Sequence, residues 1–183
     1  IYGLMFVAVF VGIGFALKVL YATPVGRRAI DAAMLKIPVI GMILRKIAVA
    51  RFTRTLGTLI SSGVPILEGL DITARTSGNA VVEEALMKVR AAVEGGRNLM
   101  DPLKETEIFP SMVTQMVGVG EQTGAMDAML SKVADFFEAE VDDAVEALSS
   151  LMEPVIMVVL GTLIGGMVVA MYLPIFKMGQ AVS

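Results

Sequence analysis

Apolar residues recur every three or four positions through the middle of this chain, and at both ends the charged residues drop out. Leu130, Val133, Phe137, Val141, Ala144, Leu148 and Leu151 keep the spacing of one helix face. Asp135, Glu138, Asp142 and Glu146 fall on other faces of the same helix. Residues 154–176 then carry no charge at all. At about 1.5 Å per residue they span roughly 35 Å, enough for a hydrocarbon core of about 30 Å with some tilt. Pro154 suits the first turn of such a membrane helix, where a missing N–H costs little. One element is thus expected to lead from a water-exposed helical domain directly into a membrane. Residues 1–17 are likewise uncharged, and with Lys18 snorkelling and Tyr21 at the interface a first span reaches residue 22. Ala8, Gly12 and Ala16 form a small-xxx-small row in it, suited to close contact with the other span or with a second copy.

Between the spans the pattern predicts short helices. Thr23-Pro24 and Ile37-Pro38 punctuate a basic stretch, which reads as a cytoplasmic linker over residues 23–46. Phe52, Leu56, Leu59 and Ile60 then form an apolar stripe over 47–60, closed by Ser61-Ser62-Gly63-Val64-Pro65. Ile66, Leu67, Leu70 and Ala74 line the next helix. Asn79 is a good N-cap for a third over 80–94, with Val82, Leu86, Val89 and Val93 inward and a Glu84–Lys88 pair outside. Gly95-Gly96 ends it. Asn98 caps a short helix to Glu105, Phe109-Pro110 opens a fifth over 111–121, and Gln122-Thr123-Gly124 turns into the long last one. The expected fold is all-α: a six-helix cytoplasmic bundle over 47–153, flanked by transmembrane helices at 1–22 and 154–176, with a short periplasmic tail at 177–183.

Composition agrees, with 56% hydrophobic and 18% charged residues among the 183. The chain starts at Ile1 and lacks a basic n-region, which reads as a fragment or processed product without a signal peptide. Lys18, Arg27, Arg28, Lys36, Arg45, Lys46, Arg51 and Arg54 stand against a single acid, Asp31, in the first part of the chain, while only Lys177 follows the last span. The positive-inside rule therefore puts the bundle in the cytoplasm and both chain ends outside. The basic cluster either sets this topology or also binds anionic lipid or a partner, with Arg51, Arg54, Glu138, Asp142 and Glu146 as candidate contacts. The acidic residues over 135–153 flank the other span, so the two charge clusters are expected to lie close and neutralise each other. A net charge of −3 and no aromatics among the basic residues argue against nucleic acid.

Catalytic chemistry is missing. There is no cysteine and no histidine, so thiolate nucleophiles and the commonest general base are absent. No phosphate loop is present, since Val64 follows Gly63 where a lysine would be needed. Glu138, Asp142 and Glu146, spaced by four, offer oxygen ligands to a hard cation, although a solvated face is the simpler reading. No charged residue lies in 1–17 or 154–176, which counts against an ion conduit. Gly161 and Gly165, followed by Gly166, form a literal G-x-x-x-G suited to close helix contact.

Two separated motifs carry a family resemblance. One is Ala50-Arg51-Phe52-Thr53-Arg54-Thr55-Leu56, continuing to Ser62-Gly63-Val64-Pro65-Ile66-Leu67-Glu68-Gly69-Leu70. The other is Val117-Gly118-Val119-Gly120-Glu121-Gln122-Thr123-Gly124-Ala125-Met126. With Glu153-Pro154 before the last span, the chain resembles the inner-membrane platform proteins of type IV pilus biogenesis and type II secretion. Glu-Gln-Thr-Gly and the ending Met171-Tyr172-Leu173-Pro174-Ile175-Phe176 look more like the pilus branch. The resemblance implies two copies of a six-helix cytoplasmic domain and three membrane helices in a whole family member, of which this chain matches the C-terminal half. It also implies a non-enzymatic, cofactor-free oligomer. Such an oligomer connects a cytosolic motor ATPase to pilin insertion and extraction, beside other inner-membrane pilus assembly proteins. Gly120, Glu121 and Gly124 fit a tight turn, the glycines at positive φ and Glu121 reaching a neighbouring backbone N–H. A transport conduit and a membrane peptidase are the rival readings.

Overall fold

The computed structural model describes Lys18, Val19 and residues 21–180, and the first expected span with its Ala8, Gly12 and Ala16 row lies outside the described residues. Seven helices follow among the described residues: α1 (Pro24–Lys36), α2 (Pro38–Ser61), α3 (Ile66–Arg75), α4 (Ala80–Glu94), α5 (Met100–Glu105), α6 (Ser111–Thr123) and α7 (Met126–Gln180). The helical bundle inferred from periodicity is present, but the linker expected over 23–46 is helical. Pro24 and Pro38 start helices there instead of interrupting a loop, because proline's fixed φ and missing N–H suit the first turn. The Thr23 hydroxyl oxygen accepts from the Gly26 N–H at 3.2 Å and completes the α1 cap.

Residues up to Val141 form one compact unit and those from Asp142 a second. The core of the first contains apolar stripes read from the sequence, with Phe52 and Leu56 of α2, Leu70 of α3, Leu86 of α4 and Leu130 and Val133 of α7 all buried, and Val113 and Val117 of α6, which the sequence reading did not single out, join them. Phe52 meets Phe109 with ring centroids 4.8 Å apart. Each such side chain contributes roughly 1.5–3 kcal/mol by leaving water.

The α7 stripe departs from expectation towards its end. Leu130, Val133 and Phe137 are buried, Val141 and Ala144 half-buried, and Leu148 and Leu151 exposed. Periodicity showed a continuous face, but a face is buried only where another element packs on it. Pro154 also lies well inside α7 and not in a first turn. The helix continues without a break through it. Among the described residues, this is the one helix long and apolar enough to cross a membrane, and none of its most apolar stretch is buried.

Candidate functional site

The Gly120–Glu121–Gly124 signature closes α6 and joins it to two other helices. Gly124 is the C-cap, at φ +72°, a left-handed conformation that favours glycine. Gly120 differs from expectation. It is helical and buried, and its lack of a side chain serves packing: a Cβ there would sit 2.9 Å from the Cα of Met126. Gly118, two residues earlier on α6, takes the sulfur of Met100 into the space a Cβ would fill, 2.6 Å away. Glu121 does bind a backbone N–H, but a distant one. The Leu99 N–H, at the start of α5, donates to both carboxylate oxygens at 2.9 and 3.0 Å. Asn98 adds a second acceptor, its Oδ1 taking the Asp101 N–H at 3.1 Å. The first turn of α5 therefore gains acceptors for its otherwise unpaired N–H groups, one of them from another helix.

The expected meeting of basic and acidic clusters occurs between α2 and the start of α7. Arg54 donates to Asp135 at 2.5 Å and to Glu138 at 2.8 and 2.7 Å through Nε and Nη2. Lys46 reaches Glu140 at 2.5 Å. The Arg54 hydrogen bonds hold the Glu138 carboxyl below the usual carboxylate range, and Glu138 and Asp135 in turn raise the guanidinium further above its ordinary value. Two of the candidate partner contacts, Arg54 and Glu138, are thus bonded to each other. Arg51 is also occupied, donating to the Ser77 carbonyl at 3.2 Å and lying against Gly78. Asp142 and Glu146 are exposed.

The cation bridge considered for Glu138, Asp142 and Glu146 loses its first ligand to Arg54. Among the described residues no group of three acidic residues is arranged to hold a metal ion. On the membrane-length part of α7, a methyl group added to Gly161, Gly165 or Gly166 would meet no atom within 4 Å.

One contributor escaped sequence reasoning. Asp31, the lone acid of the basic stretch, is buried and accepts from the Ala80 N–H at 2.7 Å and the Tyr21 hydroxyl at 3.3 Å. Asn79, the cap read from the sequence, takes the Val81 and Val82 N–H groups at 2.9 and 3.2 Å. The helix's own cap and an acceptor from α1 therefore satisfy the start of α4. Asp31's isolation among basic residues was the only available signal.

Comparison with known proteins adds a family to this geometry. The family model for type II secretion system protein F matches residues 52–174. A type IV pilus assembly protein PilC of Myxococcus xanthus is 57% identical over 163 residues, covering 89% of this chain and 39% of its own length. The type IV pilus assembly protein TapC of Aeromonas hydrophila is 55% identical over 153 residues, covering 84% of this chain and 37% of its own. A type II secretion system protein F of Xanthomonas campestris is 35% identical over 157 residues, with 86% and 39% covered. The chain thus spans less than half the length of these curated relatives.

Proposed function

The chain belongs to the type II secretion system protein F family, and on that premise we propose that it works as part of a non-enzymatic inner-membrane platform for type IV pilus assembly. The observation carrying the pilus assignment is the higher identity to two type IV pilus assembly proteins than to the secretion relative. A type II secretion platform is the second reading, favoured by the family model itself.

In this proposal residues 1–22 and 154–176 span the membrane, the bundle faces the cytoplasm, and the chain ends, with the tail at 177–183, face the periplasm. The partners are a motor ATPase, pilin subunits, other inner-membrane pilus assembly proteins and further copies of the chain. The chain has no histidine, cysteine or phosphate loop with which to extract energy itself. Its contribution would be mechanical. α7 supplies Leu130, Val133 and Phe137 to the core and also contains the uncharged membrane-length stretch, so displacement of the bundle has a helical route to the bilayer. Gly120, Glu121 and Gly124 would hold the root of that helix. Gly161, Gly165 and Gly166 would let a second apolar helix approach closely. Asp142 and Glu146, which are exposed, are the better candidates for partner contact than Arg54 or Glu138.

Photo-crosslinking residues at Asp142 and Glu146 of the whole protein in cells test this. Adducts with a cytosolic ATPase or with pilin are expected. Adducts confined to unrelated transporters would overturn the assignment.

A further inference from the structure

The corner between α1 and α2 exposes apolar side chains that the bundle does not use. Ile37, Val39, Ile40 and Met42 lie in and just after the single-residue link, with Val39 57% and Met42 61% exposed. Their position is fixed by close packing. The Gly41 N–H donates to the Ile37 carbonyl at 2.7 Å, and a Cβ on Gly41 would fall 2.2 Å from the Leu35 carbonyl oxygen. Only a glycine lets α1 and α2 approach in this way, so the aliphatic groups form a preorganised tip and not a loose loop.

The charge around the tip is mainly positive, with the single acid Glu107 lining a hollow beside Met42, Arg45 and Lys46. Lys36 and Arg45 flank the tip, and among the described residues neither is held in an ion pair. Lys46 and Arg28, by contrast, are paired with Glu140 and Glu84. No acid offsets the tip from its own stretch. Before Glu68 the sequence contains one acid, Asp31, and it is buried with both carboxylate oxygens engaged. An exposed aliphatic point rimmed by unpaired cations is the composition that settles into the headgroup layer of an anionic bilayer.

The direction of the tip within the first unit agrees. Arg54 pairs with Asp135 and Glu138, while Lys46 pairs with Glu140. α2 and α7 therefore run antiparallel there, and the start of α2 lies towards the end of the unit at which α7 leaves it.

We propose that the α1–α2 corner docks on the anionic face of the bilayer, with Ile37, Val39, Ile40 and Met42 entering the headgroup region and Lys36 and Arg45 binding lipid phosphate. The tip thereby gives the cytoplasmic bundle a second, peripheral hold on the membrane. The inference rests on the chain being membrane-anchored and is independent of the pilus assignment.

The chain has no cysteine, so single-site labelling is unambiguous. The 183-residue chain carrying Val39→Cys, labelled with an environment-sensitive fluorophore, is reconstituted into vesicles of zwitterionic phospholipid with or without about 30% phosphatidylglycerol. Lys104→Cys, at an exposed position of α5, is the control. Flotation of the chain with the vesicles checks the anchoring separately. Expected at Val39 with anionic lipid is a blue-shifted emission and roughly twofold or greater quenching by lipids spin-labelled near the headgroup, with both effects lost in high salt or in Lys36→Glu/Arg45→Glu. Water-like, unquenched emission at Val39 in floated vesicles would overturn the proposal. So would a blue shift that spin-labelled lipid does not quench, since protein and not lipid would then cover the tip. The wild-type background carries the decisive comparison, so it stands even if the charge reversal fails to fold.

Discussion

At the level of single residues, Glu121 shows a short polar side chain joining segments far apart in sequence. Its carboxylate serves the Leu99 N–H, the donor that α5 leaves unpaired. Glu121→Ala removes a charged acceptor and is expected to cost about 1–2 kcal/mol. In a domain of this size that lowers Tm by roughly 4–8 °C per kcal/mol. Glu121→Gln keeps one acceptor and should lose less. Thermal melts of the three proteins check this, and an unchanged Tm for the alanine variant would refute the role. The signature's role as a turn was legible, because Gly124 at φ +72° is a conformation that few other residues accept. The role of Gly120 was not, since a glycine needed for packing and one needed for positive φ look alike in a sequence. The reverse case is Glu107, which takes φ +55° after α5 although no glycine announces a turn there.

Among the elements, α2 and α7 are joined by charge as well as by core packing. Arg54 with Asp135 and Glu138 is a three-membered network at the surface, so each pair is worth only about 0.2–1 kcal/mol and is weakened by salt. The depressed Glu138 pKa sets the sign of its pH dependence. Its stabilisation is complete above the unfolded carboxylate value, about 4.3, and is lost as pH falls through the lower folded value. The Tm difference between wild type and Glu138→Gln should therefore stay constant from about pH 7 to 5 and close below about pH 4. A difference that grew on acidification would contradict the geometry. Opposed charge clusters at the two ends of the domain made the association readable in advance. Which arginine would meet which carboxylate was not readable, because pairing depends on the rotation of α7 about its axis, which core packing sets. The helix at 24–36 was missed for a related reason: its two flanking prolines mark helix starts and loop breaks equally well.

For the whole molecule, the glycines of α7's uncharged run have open space where a side chain would start. Gly165→Leu should disrupt close helix approach and shift the native-mass profile in detergent towards smaller species, whereas a profile identical to wild type would remove Gly165 from any contact. The same variant should leave the bundle's melting transition unchanged, since Gly165 touches no core residue. The sequence by itself determined the all-α class, the caps at Asn79 and Gly124, the core stripes and the membrane-length stretch. Each of these follows from local periodicity, from backbone conformational preference or from the cost of placing charge in hydrocarbon. Only the tertiary structure decided that α1 belongs to the bundle, that Asp31 caps α4, that Glu121 serves α5, and that the α7 stripe is buried as far as Phe137 but not at Leu148. Those outcomes depend on which distant groups are brought within hydrogen-bonding or packing distance, and a one-dimensional pattern holds no record of that distance.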